Sequence, residues 1–419
     1  MGYRTHKGGA MLLNFRTANV LSLRDEKRLS FVVAELNDSS AHSTVIRENG
    51  KPVWVAPVVG IYGANASGKT NVLAALRLMR DAVLHSVSWI SQPNPPRRTP
   101  FALDPTYRNE PSFYEVDIVV DGVRYTYGFE LDDDRVLGEW LHAYPKGRRQ
   151  VWFDRDEEDI RFPGEGLRGE KLELARRTRP DALFLTVAAQ LNHEQLLPVH
   201  SWFRDNLSLI SPDEDRPQRL AYTKHVVVND PIAKDQVTRL LAVADLGVID
   251  IEVISVADEE IRLVHRAGDR TVPIDFAAES MGTQAWFALL GPMLDAFDRG
   301  ATVLVDELDA SLHPAIAAEA IRMFESTDAN PNTAQMLFTT HDATMLRTLA
   351  DGDRVLGRDI IWFTEKDSDG ATDLYPLTSL RPLPRKEENL ERGYLVGRYG
   401  GTPRVVPGEL ARAAEEALA

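Results

Sequence analysis

Three observations in the sequence predict an α/β fold built around a buried, mostly parallel sheet. Val58-Val59-Gly60-Ile61 is a short β-branched run that feeds a glycine-rich turn and then a helical pattern with apolar Val72, Leu73, Leu76, Met79 and Val83. Ala301-Thr302-Val303-Leu304-Val305 is a second apolar run, ending in Asp306-Glu307. Met336-Leu337-Phe338-Thr339-Thr340 is a third, ending in His341-Asp342. Runs apolar on both faces suit strands covered on both sides, and open α/β sheets place ligands beyond the carboxyl ends of such strands.

The 419 residues leave room for roughly two or three domain-sized units, and 43% apolar content suffices for packed cores. A net charge of −15 and a pI near 5.2 supply no global attraction for nucleic acid or membrane. Cysteine is absent, which removes disulfides, thiolate catalysis and Cys-based zinc sites and fits a reducing cytoplasm. No apolar run is long enough to span a bilayer, so a soluble cytoplasmic protein without a membrane partner is expected. Residues 1–10 are polar and patternless, so the fold is expected to begin at Met11.

In chain order, 11–35 reads as three strands, Met11–Phe15, Val20–Leu23 and Leu29–Val33, around a charged turn at Arg24–Lys27. They are expected to form an antiparallel edge beside the ligand site. Gly63-Ala64-Asn65-Ala66-Ser67-Gly68-Lys69-Thr70-Asn71 then has phosphate-loop spacing. Gly63 and Gly68 let the backbone turn its N–H groups inward, and the helix N-terminus adds positive potential. Lys69 is placed to reach β- and γ-phosphates, and the Thr70 hydroxyl to ligate Mg²⁺. These residues predict nucleotide binding.

Ser88–Asp104, with four prolines, reads as a loop. Phe113–Val120 and Val123–Leu131 flank Asp121-Gly122, the pattern of a type I′ hairpin, with a third strand at Val136–Tyr144 and a solvated turn at Asp132-Asp133-Asp134. From Gly169 to about Leu246 the pattern is helical: Ala182–Leu191 is apolar nearly all round, and Leu196–Phe203 and Val237–Leu246 follow. This reads as a helical insertion between two halves of one nucleotide fold, without heptads or repeats. Ser280 is a good helix N-cap, with Gly282 in the first turn. Asp306 is expected to hold Mg²⁺ through water, and Glu307 to orient or deprotonate the attacking water. His341, just past its strand, is expected to contact a γ-phosphate.

Over two hundred residues separate Thr70 from Asp306. The order of phosphate loop, insertion, Ser-x-Gly helix, Asp-Glu strand, Leu308-Asp309-Ala310-Ser311-Leu312-His313 and His strand resembles the ABC-type ATPase heads of the RecF, SMC and OLD-like branch. Asn65 suits that branch, whereas Ala66 stands where its loop usually has glycine. The resemblance implies a two-lobed head with an antiparallel β-subdomain and a helical insertion. It divides the chain into an N-terminal lobe (11–107), a β-subdomain (108–160), a helical insertion (161–247), a C-terminal lobe (248–380) and a tail (381–419). ATP and Mg²⁺ are the implied cofactors, with Gly63, Asn65, Ala66, Ser67, Gly68, Lys69, Thr70 and Asn71 binding nucleotide. Lys69, Glu307 and His341 would be catalytic, His341 as the switch histidine; Thr70 and Asp306 would hold metal, and Asp309 would serve the D-loop. Ser280 and Gly282 match a degenerate signature loop that acts in trans, implying a homodimer or higher oligomer through the heads. The Q-loop glutamine has no clear match, Gln92 being a weak one.

A narrower resemblance runs from Met11 almost to the end. Asn14-Phe15 through Leu21-Ser22-Leu23-Arg24-Asp25-Glu26, Tyr62 to Asn71, and Glu388-Asn389-Leu390-Glu391-Arg392-Gly393-Tyr394-Leu395-Val396-Gly397-Arg398-Tyr399-Gly400-Gly401-Thr402-Pro403 are similar to one family. It comprises bacterial AAA/ABC-like ATPases often encoded beside a RloB-like TOPRIM partner and linked to phage defence. The ending is expected to be a docking or structural clamp. The resemblance implies an ATPase sensor controlling an effector, a RloB-like TOPRIM protein or another nuclease. The competing reading is a stand-alone RecF-like DNA-repair ATPase that binds DNA directly, while a transporter subunit is disfavoured by the split head. Arg97-Arg98, Lys146-Arg148-Arg149 and Arg176-Arg177-Arg179 read as solvated faces, or else as a nucleic-acid path. Thr364-Glu365-Lys366-Asp367 reads as a charged turn after a strand at Ile360–Phe363, a poor match to a guanine-reading motif.

Overall fold

The computed structural model describes residues 9–33, 44–48, 51–91, 97–211, 215–244, 247–310, 312–347, 354–402 and 408–418. Gln92, Ser311 and Pro403 lie outside the described residues. A six-stranded sheet forms the centre, in the order Leu207–Ile210, Thr302–Val305, Gln335–Thr340, Val58–Gly63, Ile361–Lys366, Thr372–Pro376. The first five strands run parallel and the last antiparallel. Val58–Gly63 is buried along its whole length, as a central parallel strand must be. Its side chains alternate between two cores: Val59 and Ile61 join the helix Lys69–His85, while Val58 and Tyr62 join the helices Met281–Arg299 and Pro314–Glu325. Helices on both faces leave the carboxyl ends of the parallel strands as the open edge.

A second sheet of seven strands packs over the first core in the order Asp159–Arg161, Gln150–Asp156, Val136–Tyr144, Val123–Leu131, Ser112–Val120, Met11–Ala18, Lys27–Ser30. The hairpin at Asp121-Gly122 forms with φ of 50° and 75°, both positive as a type I′ turn requires. Met11–Ala18 pairs directly with Ser112–Val120, so the sheet is continuous across the boundary expected at residue 107. Val20–Leu23, expected as a strand, is a tight turn closed by the Val20–Leu23 bridge, with Asn19 and Leu21 at φ 53° and 54°. The Asn19 amide supports this turn by donating to the carbonyls of Tyr107 and Glu110.

The stretch expected as a helical insertion contains the helices Lys171–Arg177, Phe184–Gln190, Leu197–Asp205, Arg216–Asn229 and Pro231–Val243. It also supplies the edge strand Leu207–Ile210, which pairs in parallel with Thr302–Val305 and buries Leu207 and Ile210. Four residues are too short for a periodicity signal, so part of the central sheet was hidden in helical surroundings. Three further strands, Val248–Ser255, Glu260–Ala267 and Arg270–Asp275, form a small antiparallel sheet ahead of the Met281–Arg299 helix. Where a loop was expected from Ser88, Ser86–Ser91 is a 3₁₀ turn continuing the phosphate-loop helix, and residues 92–96 lie outside the described ones. Thr364–Lys366 also departs from expectation: it lies within Ile361–Lys366, and the turn begins at Asp367. Arg98 is not a solvated face. Its side chain is 1% exposed, pairs with Asp133 and donates to the carbonyls of Glu110 and Arg108. Among the described residues no helix is long and apolar enough to cross a membrane.

A buried ion pair between neighbouring strands of the seven-stranded sheet fastens that sheet to the helix Phe184–Gln190. Glu139 of Val136–Tyr144 is fully buried, 3.6 Å from Arg155, and accepts from the Tyr127 hydroxyl and from the Phe184 and Leu185 amides. It thereby caps a helix whose own N-cap residue, Leu183, has no side-chain acceptor. Burial raises the Glu139 pKa, while Arg155 and the donors pull it back down. Glu139→Ala is expected to cost about 3–5 kcal/mol in urea denaturation, because Arg155 and two helix amides lose their buried acceptor. A loss under about 1 kcal/mol would show that this cluster does not fasten the sheet to the Phe184–Gln190 helix.

Candidate functional site

The expected site residues from the phosphate loop, Asp-Glu and His segments converge at the carboxyl ends of the central strands. Gly63 ends one strand and Gly68 starts the helix, with Gly68 at φ 104°. Ala66 sits at φ 61°, a left-handed position that explains the preference for glycine there and that alanine occupies at a cost of about 1 kcal/mol. Asn65, Ala66 and Thr70 are exposed, whereas Ser67 and Lys69 are buried.

Lys69 donates to the carbonyls of Gly63 (2.8 Å) and Ala64 (3.0 Å), which folds it back over the loop. Burial lowers its pKa, and the nearby charges of Glu307, Asp306 and Asp309 raise it. The Thr70 hydroxyl donates to Asp306 Oδ1 at 3.1 Å, bridging 236 residues of sequence. Two hydroxyl–carboxylate pairs from Gln335–Thr340 organise the far side. Thr339 donates to Asp306 Oδ1 (2.6 Å) and accepts from the Glu307 amide (2.8 Å); Thr340 donates to Asp309 Oδ1 (2.7 Å) and accepts from the Asp342 amide (3.0 Å). Glu307 itself sits at φ 46° and is exposed. His341 is 57% exposed, its Nε2 3.3 Å from Asp309 Oδ2.

Beneath the loop lies a second layer of hydroxyls. Ser67 Oγ and Thr364 Oγ1 are 2.7 Å apart, and Thr372 Oγ1 donates to the Ser67 carbonyl at 2.9 Å. Ser22 Oγ lies 2.7 Å from Thr372 Oγ1 and accepts from Asn71 Nδ2 at 2.6 Å. Thr339, Thr340, Thr364, Thr372 and Ser22 were not expected as site residues. Thr339-Thr340, two hydroxyls closing an apolar run, were a readable signal; Thr364 and Thr372 carry none before the hairpin brings them under the loop.

Ser280 and Gly282 are placed differently. Ser280 caps Met281–Arg299, accepting from the Thr283 amide at 3.1 Å, and Gln284 donates to the Glu279 carbonyl. No hydrogen bond among the described residues joins Ser280 or Gly282 to the phosphate loop, and Met281 between them is exposed. The chain thus brings Lys69, Thr70, Asp306, Glu307, Asp309 and His341 together, while the bonds of the Ser-x-Gly helix start among the described residues are those of its own cap.

Relatives bear on this geometry unequally. The family model described as "AAA domain, putative AbiEii toxin, Type IV TA system" matches residues 58–347, more than half of the chain. No curated protein matches it. Among solved structures, the SMC head domain from Thermotoga maritima is 12% identical, with a TM-score of 0.40, 87% of this chain and 98% of that chain covered. An SmcHead bound to the C-winged helix domain of ScpA is 14% identical, with a TM-score of 0.41 and coverage of 87% and 96%. At these values the two likenesses carry no argument about this chain.

The hydroxyl floor leaves no room at Gly68, where a Cβ would lie 2.1 Å from Thr372 Oγ1. Gly68→Ala is expected to lower stability by about 1–3 kcal/mol in denaturant and to weaken nucleotide binding at least tenfold by titration. Wild-type affinity in that variant would show that the floor does not set the loop.

Proposed function

The chain belongs to that AAA domain family, and on this premise we propose that it is an ATP-hydrolysing switch. It works as a head-to-head dimer and controls a nuclease effector in phage defence. The observation that carries the reading is the 3.1 Å link from Thr70 to Asp306, which joins the two ends of a phosphate-binding site. Lys69 would leave the carbonyls of Gly63 and Ala64 for the phosphates of ATP, and the loop amides would take the remaining oxygens. Asp306, Glu307 and Asp309 all act on Lys69, so a bare triphosphate would meet a negative wall. Hard oxygen donors at Thr70 and Asp306 fit Mg²⁺, which would supply the neutralising charge on the phosphates. Glu307, its amide anchored on Thr339 and its carboxylate exposed, would orient and deprotonate the attacking water. His341, paired with Asp309, would sense the γ-phosphate. Ser280 and Met281 are exposed at the helix start, which supports service of Ser280 and Gly282 to the nucleotide of a second copy.

A family that includes a putative toxin of a toxin–antitoxin system fits a role in a toxic defence complex, whose effector would be a RloB-like TOPRIM protein or another nuclease. Direct DNA binding of the RecF kind gains nothing from a charge of −15 or from the buried Arg98.

Wild type and Glu307→Gln, weighed in solution with and without MgATP alongside phosphate release, test the switch. Glu307→Gln should release phosphate at least 100-fold more slowly and accumulate as an ATP-dependent dimer, while Lys69→Ala should bind no ATP. A mass that ignores ATP, with Glu307→Gln hydrolysing normally, would overturn the reading. The defence role predicts that cells carrying the gene with its chromosomal neighbours plate phage less efficiently than cells carrying Lys69→Ala. Equal plating would remove that role and leave the ATPase standing.

A further inference from the structure

The ending at 388–402 folds back onto the nucleotide site. Asn389 caps the helix Leu390–Leu395, accepting from the Arg392 amide at 2.8 Å. Tyr394 on that helix is buried, its ring edge-on to Tyr62 at 5.8 Å and stacked on Phe363 at 5.7 Å. Its hydroxyl donates to the Gly401 carbonyl at 3.2 Å, so it fixes the turn that packs on Gly63. Tyr399 anchors the return: its hydroxyl donates to Glu388 at 2.6 Å, Arg398 pairs with Glu388, and its carbonyl accepts from Tyr375 at 2.9 Å.

Gly400 and Gly401 make the turn that reaches the loop, at φ 74° and 67°. A Cβ on Gly401 would lie 3.5 Å from Gly63 Cα and 3.3 Å from the Thr364 carbonyl, so two backbones meet there. On its other flank the Leu390–Leu395 helix packs on the turn Ala343–Leu346, two residues beyond His341. One segment therefore touches the start of the phosphate loop and the element that follows the histidine.

We propose that residues 388–402 are a positioning element of the nucleotide site. Tyr394 and the Gly400-Gly401 turn hold Gly63, the helix Leu390–Leu395 holds the His341 turn, and the two loops move as one unit. The inference rests on the ATPase reading for its consequence in catalysis, though not for the coupling itself. Tyr394 and Gly401 act through Gly63 and touch no substrate. A purely packing role would predict that weakening the clamp loosens the whole fold; a positioning role predicts a local effect at two places distant in sequence.

Hydrogen exchange on the full-length, nucleotide-free protein separates these roles, comparing wild type with Tyr394→Phe, Gly401→Ala and Leu395→Ala. Leu395 is on the same helix but 64% exposed, so its variant is the control. Tyr394→Phe removes one hydroxyl and keeps the ring. Exchange should rise together at the phosphate loop (62–68) and the His341 turn (340–347), while the 123–131 strand and the Leu395→Ala protein stay as wild type. ATP affinity of Tyr394→Phe should fall about 5–10-fold, the equivalent of one lost hydrogen bond, with kcat at saturation reduced less than KM is raised. Unchanged exchange at either loop, an equal rise throughout, or the same rise in Leu395→Ala would overturn the proposal. If wild type binds no ATP, the ATPase reading falls, and the exchange comparison still decides whether the clamp couples the loops.

Discussion

The close approach of backbone to hydroxyl at Gly63 and Gly68 is the constraint on which the site depends. A Cβ at either position would sit within 2.4 Å of a threonine hydroxyl on the Ile361–Pro376 hairpin, Thr364 at Gly63 and Thr372 at Gly68. The phosphate loop therefore lies on a floor rather than arching over solvent, and that floor exists only because Ile361–Lys366 pairs beside Val58–Gly63. Seating the loop this way fixes the direction of its amides before any ligand arrives, and a preformed anion site loses less entropy on binding than a loop that must order.

Charge balance explains how the rest is arranged. Lys69 lies near three carboxylates, and two of them are tied down by threonines: Asp306 by Thr339, Asp309 by Thr340. Glu307 alone of the three is exposed with its side chain free to reach outward, while its amide is held. The same Thr-Thr pair thus restrains two acids and presents the third. Successive residues of a strand face opposite sides, so Thr339 serves the Asp306-Glu307 turn and Thr340 reaches Asp309 beyond it. The paired clamp at 388–402 extends this restraint from the strand ends to the backbone of Gly63 and the turn after His341.

Features with a strong local signal were legible in the sequence. The phosphate loop and its helix, the Asp-Glu and His strand ends, the Asp121-Gly122 hairpin and the Ser280 cap each depend on a few neighbouring residues whose chemistry admits one local conformation. Features that depend on partners far away were misread. Val20–Leu23 alternates like a strand, but Asn19 turns it by bonding carbonyls 88 and 91 residues on. Leu207–Ile210 is a strand only because Thr302–Val305 lies beside it. Arg98 reads as a surface charge and is buried because Asp133 and two carbonyls receive it.

By itself the sequence determined that this is an α/β phosphate-loop protein of the AAA kind with two acidic residues and a histidine at later strand ends, since each motif is a short-range code for backbone geometry. Only the tertiary structure decided which hydroxyls serve those acids, that a strand from within the helical stretch completes the sheet, and that the last described turn before residue 403 touches Gly63. Those outcomes are set by which surfaces remain to be covered once the central strands pair, and burial is a property of the whole chain rather than of any window of it.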